Sequence, residues 1–147
     1  VMTVIEDGKI NKAEYKKFKL EESTNDDYAG IREMMSRRLA HNDWRLPDII
    51  VFDGGKAQKQ VGDSAIINFV KEHESHTNNI DYPNFKNILS IQTVSVVKDD
   101  KHKAKDILGD EKIIKEFKDQ ILLANSEAHR FAIKYHKELR EKKMLNK

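Results

Sequence analysis

The sequence predicts a single domain of mixed α/β class, in which three helices pack around one sheet. Three observations lead to this class. Short apolar runs of β-branched residues recur at 1–5, 49–52 and 88–97, and such runs are typical of strands. Between them, apolar residues recur with spacings of three and four, which is typical of helices. A length of 147 residues suits one domain with one hydrophobic core.

The first predicted element is an antiparallel hairpin over residues 1–20. Residues 1–5 are apolar and largely β-branched, and the dipeptide Asp7-Gly8 that follows is a strong signal for a hairpin turn. The segment 13–20 contains two aromatic residues, which suit a returning strand.

A helix, a buried strand and a second helix are predicted next. The first helix starts at Asn25 or Asp26, either of which can cap its N-terminus, and ends near Leu39. The run 49–52 is continuously apolar, as expected of a strand buried on both faces of a parallel or mixed sheet. The second helix is predicted over about residues 56–71.

The second half of the chain is predicted to contain one more strand and one long helix. Residues 72–86 are polar and include a proline, so a loop is expected there. Residues 88–97 are predicted to form a strand, and 98–105 a charged loop. Residues 107–115 are expected to be partly helical, and a long charged helix is predicted over about 119–144.

Composition excludes several kinds of site. There are 27 Lys and Arg residues against 25 Asp and Glu, so any basic surface must come from local segregation of charge. The absence of cysteine excludes disulfides and thiolate metal sites, and leaves carboxylate, imidazole and carbonyl ligands. No apolar run approaches the roughly 18 residues that span a bilayer, so a cytoplasmic protein is expected. The chain starts without Met inside a strand-like run, which is typical of a fragment.

The stretch PDIIVFDGGKAQ, residues 47–58, puts an acid at the end of the buried strand. Asp53 ends the apolar run, Gly54 and Gly55 allow unusual φ angles, and a helix follows. Ligands gather at the carboxyl ends of strands in open sheets, and helix N-termini attract phosphate. This combination suits a metal-dependent nuclease. Taken alone, Asp-Gly-Gly is more often a turn than a catalytic site, and the spacing does not match a Walker motif.

Other candidate residues also have a structural interpretation. Asp26 and Asp27 can simply cap the helix that follows them. His129 lies beside the apolar stripe of the last helix, where a single His is more often structural or solvated than catalytic. No HExxH spacing is present, which disfavours a zinc protease. Basic residues near the C-terminus are typical of a solvated helix face.

Four blocks occur in order along the chain: EDGKINKAEYKKFKL, NDDYAGIREMMSRR, LPDIIVFDGGKAQ and SEAHRFAIKYHKELR. With these blocks the sequence resembles the C-terminal endonuclease domain of the UvrC family, the incising component of the UvrABC excinuclease in bacterial nucleotide excision repair. The blocks span almost the whole chain, so residues 1–147 are expected to be one such domain. Each block is modestly specific, whereas DDYA, DGGK and EAHRFAI in one order are a specific combination.

The resemblance implies a ribonuclease H-like mixed sheet flanked by helices. It also implies an endonuclease that cuts the damaged DNA strand 5′ to a lesion with Mg²⁺ or Mn²⁺. The acid of the DGG block matches Asp53, the second acid of the DDY block matches Asp27, and the histidine of the EAH block matches His129. The remaining acid of the family lies in a Phe-Asp-Ile-Ser block on the first strand. That block is missing, so Val1 would begin on the second strand and the domain is expected to be truncated there.

The implied roles of these residues follow the chemistry of phosphodiester hydrolysis. Asp53 would be a direct metal ligand, and Asp27 would bind the metal or orient a metal-bound water. His129 would bind the metal or move a proton. Backbone contacts to DNA would position the substrate without reading its sequence. The candidates for those contacts are Lys56, Arg37, Arg38, Lys98, His102 and Arg130.

The sequence also departs from the pattern of the family. Asn125-Ser126 stand where Arg-Asp is usual, Ala57 replaces a glycine, and the segment 73–87 is longer than the usual turn. The tandem helix-hairpin-helix region, the N-terminal endonuclease half and the segment that engages UvrB are expected to lie outside these 147 residues. Expected partners are damaged double-stranded DNA, UvrB through parts of the parent protein outside this chain, and UvrA indirectly. No membrane partner is expected.

Three functional hypotheses follow. The first is that the full-length parent is a metal-dependent DNA endonuclease, and that this chain alone is weak or inactive because one acid is missing. The alternative is a catalytically inactive DNA-binding module with the same fold, which the missing acid and Asn125-Ser126 suggest. A third is a phosphate-ligand protein that uses Gly54-Gly55-Lys56 and would bind nucleotides.

Overall fold

A computed structural model describes residues 5–6, 9–10, 27–41, 45–76, 85–101 and 103–145. The elements are β1 (Ile5–Glu6), β2 (Lys9–Ile10), α1 (Asp27–Ala40), β3 (Ile49–Asp53), α2 (Lys56–His76), α3 (Phe85–Leu89), β4 (Gln92–Lys98), β5 (Ala104–Leu108) and α4 (Glu111–Leu145). The chain divides into two compact units. We call Leu20–Glu111 the sheet unit, and Val1–Lys19 with Lys112–Lys147 the terminal unit.

The sheet unit contains a three-stranded mixed sheet in the order β3-β4-β5. Strands β3 and β4 are parallel, and their register pairs Asp53 with Val96. Strand β5 runs antiparallel to β4, and the register shifts between Val97 and Lys98. Helices accompany this sheet in chain order, so the structure confirms the expected mixed α/β class.

One hydrophobic core joins α1, α2 and α3 to the sheet. Its buried members are apolar side chains from each of these elements, from β3 and from the residue before β4: Met35, Leu39, Phe52, Ile66, Phe69, Val70, Ile88 and Ile91. Helix α2 approaches β3 closely because Gly62 has no side chain there. A Cβ built at Gly62 would lie 2.2 Å from Cζ of Phe52. This contact seats α2 beside the strand that ends at Asp53.

The terminal unit contains the short antiparallel pair β1–β2 and helix α4. The pairing joins Ile5 to Ile10 and Glu6 to Lys9. Helix α4 is interrupted at Phe117, where φ is −117° and ψ is 20°. Its buried residues are Ile121, Asn125 and Glu127.

Most of the predicted elements are confirmed with small shifts in their bounds. Helix α1 and strand β3 occupy the expected ranges. Of the hairpin expected over 1–20, the described residues show only the antiparallel pair β1–β2. Helix α2 continues to His76, so residues 72–76 are helical and not part of a loop. The additional turn carries His73, whose ring stacks on Phe69 with centroids 3.9 Å apart. The returning strand expected over 13–20 lies outside the described residues.

Two predictions about the second half were wrong. Ile88 and Leu89 belong to the short helix α3, and strand β4 begins only at Gln92. A run of four to eight apolar residues does not distinguish a strand from one buried helical turn, and here Ile88 packs into the core as part of a helix. Residues 104–108, expected as loop and helix, form the edge strand β5.

The charged sequence of β5 explains that error. Its first three residues, Ala104, Lys105 and Asp106, are exposed, and only Ile107 and Leu108 are half-buried. Edge strands commonly carry charged residues, because these discourage pairing with other chains. Residues 111–115 are helical, as expected of the partly helical segment 107–115, and they are continuous with the long helix expected over 119–144. Among the described residues, no helix is long and apolar enough to cross a membrane.

Candidate active site

The site is built around Asp53, the last residue of β3. Its backbone is fixed by the parallel pairing with Val96, and Gly54 N–H extends the ladder by donating to the Val96 carbonyl oxygen at 3.1 Å. The Asp53 side chain is nevertheless 62% exposed. A rigid backbone therefore presents an accessible carboxylate at the carboxyl end of a strand, which is where open α/β sheets bind ligands.

Alternation along the strand determines which face of the sheet carries this carboxylate. Phe52 points toward α2 and meets Gly62, so Asp53 lies on the opposite face. Thr93 shares the Phe52 face, and its hydroxyl donates to Oδ1 of Asp63 on α2. Val96, the register partner of Asp53, is completely buried on the Asp53 face.

Lys98 contacts Asp53 directly. It lies two residues beyond Val96 on β4, so its side chain leaves the sheet on the same face as Asp53. Its Nζ is 3.0 Å from Oδ1 of Asp53, and the lysine side chain is only 19% exposed. The structure therefore brings together two of the residues that the sequence suggested separately, one as a metal ligand and one as a DNA contact.

The chemistry of Asp53 suits a divalent cation. Carboxylate oxygens are preferred ligands of Mg²⁺ and of related hard cations. In the structure Oδ1 of Asp53 forms an ion pair with the ammonium group of Lys98. Asp53 thus fits the role of one metal ligand. Among the described residues, no three His, Asp or Glu side chains form a cluster that could hold a metal.

A cap orders the turn between Asp53 and α2. Gly54 has a φ of +142°, a region that favours glycine, and a Cβ there would lie 2.7 Å from Cγ and Cδ of Gln58. Gly55 N–H donates to Oε1 of Gln58 at 2.9 Å, and its carbonyl accepts the N–H of Lys59 at 3.2 Å. Gln58, at the third position of α2, therefore accepts the backbone N–H of Gly55, the residue just before the helix. This is one half of a capping box.

The turn between β4 and β5 is ordered by Asp99. Its Oδ1 accepts the N–H groups of Lys101 at 2.8 Å and Lys103 at 3.0 Å. Asp99 N–H donates to the Lys103 carbonyl oxygen at 2.8 Å. Lys101, Lys103 and Lys105 are exposed on this hairpin, which begins directly after Lys98. Asp99, Asp100 and Asp106 are exposed on the same hairpin, so its lysines stand among an equal number of acids.

The other two implied catalytic residues lie in different parts of the chain. Asp27 is the first residue of α1, and its side chain is outside the described set. His129 lies on α4 in the terminal unit, where it is exposed. Their roles at the Asp53 site therefore stay predictions.

The predicted DNA contacts differ in their surroundings. Lys56 is exposed at the first position of α2. Nη1 of Arg37 lies 3.7 Å from Oε1 of Glu33. The Arg38 guanidinium donates to the Arg45 carbonyl oxygen. The last candidate on a described helix is Arg130 on α4. His102 lies outside the described residues.

Arg130 forms a bidentate pair with Glu127. Its Nε and Nη2 donate to the two carboxylate oxygens of Glu127 at 3.0 and 2.8 Å. The Glu127 side chain is 11% exposed, whereas that of Arg130 is 49% exposed. The guanidinium therefore neutralises a largely buried acid one turn away and still reaches solvent.

Sequence reasoning missed two contacts of this site. The Gln58 cap had a signal, because a Gln at the third position of a helix is part of a known capping pattern. The Lys98–Asp53 pair had none, because it depends on the parallel pairing and register of two strands that are distant in sequence. Only the fold brings these two side chains together.

Comparison with known proteins shows the family to which the chain belongs. Residues 1–134 match the model of the UvrC RNase H endonuclease domain. The UvrABC system protein C of Caldicellulosiruptor saccharolyticus is 34% identical over 149 residues, with 96% of this chain and 22% of that protein covered. The proteins of the same name from Streptococcus uberis and Streptococcus thermophilus are 32% and 33% identical, with 96% of this chain and 23% of each protein covered. The chain thus spans less than a quarter of the length of these relatives. It belongs to the family of UvrC RNase H endonuclease domains.

Proposed function

We propose that this chain is the nuclease domain of a bacterial nucleotide excision repair protein. The full-length protein cuts the damaged DNA strand 5′ to a lesion with a bound divalent cation, and this chain alone is weakly active or inactive. The observation that carries the proposal is the exposed carboxylate of Asp53 at the end of β3, in a chain that matches the endonuclease family over residues 1–134. The relatives are named as components of the UvrABC system, which supports a role in excision repair.

The chemistry is hydrolysis of a phosphodiester. Bound Mg²⁺ or Mn²⁺ would supply an activated water and neutralise charge on the phosphate and the leaving oxygen. Asp53 would hold the cation from the rigid end of β3. Asp27, at the start of α1, would bind the cation or orient a water. His129 would bind the cation or move a proton.

Other residues would position the DNA through its backbone. Lys56 begins α2, where the orphan N–H groups of the first turn favour phosphate. The exposed lysines of the β4–β5 hairpin lie next to the Asp53 edge and suit the same task. Arg37, Arg38, His102 and Arg130 remain candidates elsewhere in the chain. Contacts of this kind carry no sequence information, which fits an enzyme directed by damage.

The proposed partners follow from the family. Damaged double-stranded DNA is the proposed substrate. UvrB would be engaged by parts of the parent protein outside this chain, and UvrA indirectly. The proposal does not require a partner to bind the Asp53 site itself.

The test is nicking of a duplex that carries one lesion, in the presence of Mn²⁺, UvrA and UvrB, by the full-length protein. We expect Asp53→Asn to lower the rate of 5′ incision by about 100-fold or more, because it removes the charge of a metal ligand. Asp100→Asn, an exposed acid in the β4–β5 turn, is the matched control and should leave the rate within about twofold. Incision by Asp53→Asn at the wild-type rate would overturn the assignment.

The alternative of an inactive DNA-binding module predicts a different pattern. Such a module would bind DNA with strong salt dependence, as expected from phosphate contacts, and would not bind Mn²⁺. The proposed nuclease binds Mn²⁺ through Asp53, and loses that binding in Asp53→Asn. Mn²⁺ titration therefore separates the two functions without any measurement of cleavage.

A further inference from the structure

The ion pair between Lys98 and Asp53 differs from an ordinary surface pair. A surface pair joins two mobile and largely solvated side chains, and contributes little. Here the lysine is only 19% exposed and leaves a strand whose preceding residues 93–96 are buried. Asp53 is the last residue of the parallel ladder between β3 and β4, and Lys98 lies on β4 two residues beyond that ladder, where it pairs with Ala104 of β5. The ammonium group is therefore directed at Oδ1 by the fold.

The ion pair involves a carboxylate oxygen of Asp53, the side chain that would bind the metal in the proposed function. Lys98 Nζ lies 3.0 Å from Oδ1 of Asp53, so a positive charge is already placed on this carboxylate. A second cation that approached the same oxygen would be repelled by the ammonium group at short range. A divalent cation and Lys98 must then compete for Asp53, or share it at reduced affinity.

We propose that Lys98 is a positioning residue of the Asp53 site. Its ammonium group neutralises and orients the Asp53 carboxylate in the metal-free protein, and gives up Oδ1 when a divalent cation binds. The released ammonium group then faces the same edge of the sheet as the exposed lysines of the β4–β5 hairpin, where it contacts a backbone phosphate of the DNA. This inference rests on the proposed function, because it assumes that Asp53 binds a divalent cation.

The proposal explains why a lysine is half-buried next to an acid that would bind metal. An unpaired carboxylate would carry its charge uncompensated whenever the cation is absent. A permanent partner such as an arginine fork would hold the carboxylate too firmly, because it donates two hydrogen bonds in a fixed geometry. A lysine supplies a single point charge on a flexible stem, which can move from the carboxylate to a phosphate.

The first test measures Mn²⁺ affinity of the chain from the electron paramagnetic resonance signal of free Mn²⁺. Lys98→Met keeps most of the side-chain volume and removes the competing charge. We expect it to bind Mn²⁺ about twofold to fivefold more tightly than the matched control Lys105→Met. The control removes the same charge from an exposed position on β5. Lys98→Arg keeps the charge and should bind no more tightly than wild type.

The outcomes of this test are distinct. Equal affinities of Lys98→Met and Lys105→Met, or weaker binding by Lys98→Met, would overturn the role of Lys98 as a competitor. Asp53→Asn tests the underlying function separately, since it should abolish the binding. If Asp53→Asn bound Mn²⁺ like wild type, the metal role of Asp53 would be wrong, and the Lys98 proposal would fail with it.

A second test needs no substitution at Lys98. Acylation of lysine amines by a small reagent, followed by peptide mass spectrometry, reports how available each ammonium group is. We expect Mn²⁺ to raise the modification of Lys98 by about twofold or more, because the cation removes its partner, and to leave Lys105 unchanged. In Asp53→Asn the modification of Lys98 should be high with or without Mn²⁺. Protection of Lys98 that Mn²⁺ does not alter in wild type would contradict the proposal.

Discussion

The ring of Phe52 lies directly over Gly62. A Cβ at Gly62 would be 2.2 Å from Cζ and 2.4 Å from Cε2 of Phe52. Phe52 is buried and immediately precedes Asp53, so this contact sets how closely α2 approaches the strand that carries the site. Because Gly62 has no side chain, α2 can pack closely on Phe52, and this packing supports the strand that presents Asp53 on the opposite face of the sheet.

The first prediction concerns Gly62→Ala. In an exposed helix this substitution stabilises by about 1 kcal/mol, because alanine has the higher helix propensity. Here we expect the opposite sign, a loss of about 1–3 kcal/mol, because the new methyl group overlaps a buried ring. Urea denaturation followed by circular dichroism measures the change.

A control on the same helix makes this prediction specific. Ser64→Ala changes an exposed position of α2 and should be neutral or slightly stabilising. Combining Gly62→Ala with Phe52→Leu should recover part of the lost stability, because the smaller side chain leaves room for the methyl group. A Gly62→Ala protein as stable as Ser64→Ala would show that α2 can move away from β3 without loss.

The second prediction concerns the cap of α2. Gln58→Ala removes the acceptor of the Gly55 N–H, so we expect a loss of about 0.5–2 kcal/mol. Gln60→Ala is the matched control, since it removes the same side chain from an exposed position two residues later. Thermal unfolding of the two variants gives the comparison. Equal melting temperatures would mean that water replaces the cap without cost.

How much of this molecule the sequence predicts depends on the range of the interactions involved. Strand β3 and the turn after Asp53 follow from local chemistry, namely an apolar run and two glycines. The range of helix α1 likewise follows from a regular apolar spacing. The partner of Asp53 could not be predicted, because Lys98 reaches it only through the parallel register of β3 and β4.

Strand β5 shows the second limit of sequence reasoning. The segment Ala104–Leu108 carries Lys105 and Asp106 and continues a charged turn, so its sequence is not distinguished from a charged loop. It is a strand because β4 offers it a row of backbone partners, in pairs such as Ser95 with Leu108 and Val96 with Ile107. Secondary structure imposed by a neighbouring strand leaves little trace in the segment that receives it.

The third prediction concerns the β4–β5 turn. Asp99→Ala removes the acceptor of two backbone N–H groups, those of Lys101 and Lys103, and we expect a loss of about 0.5–1 kcal/mol. Amide hydrogen exchange should also become faster at both positions. Asp100→Ala removes an equal charge from the next residue and should change neither quantity. Unaltered exchange in Asp99→Ala would contradict the assigned role of the carboxylate.

The fourth prediction concerns a buried hydroxyl. Ser95 on β4 is completely buried, and within the part of the chain that the structure describes its Oγ has no hydrogen-bond partner. An unsatisfied buried hydroxyl costs about 1–3 kcal/mol, so we expect Ser95→Ala to raise the free energy of unfolding. Ser90→Ala is the contrasting control, because Ser90 Oγ is exposed and donates to the Lys86 carbonyl oxygen. A loss of stability in Ser95→Ala would show that the hydroxyl is satisfied.

The last prediction is that divalent cations stabilise the fold through Asp53. A ligand that binds only the folded state stabilises it by about 2.7 kcal/mol at one hundred times its dissociation constant. For a chain of this length that corresponds to a rise of about 5–10 °C in melting temperature. We expect saturating Mn²⁺ to produce such a rise in the wild type and in Asp100→Asn, and a chelator to reverse it. Asp53→Asn should melt at the same temperature with and without Mn²⁺, because it lacks the carboxylate that would hold the cation. An equal rise in Asp53→Asn would locate the cation elsewhere in the chain.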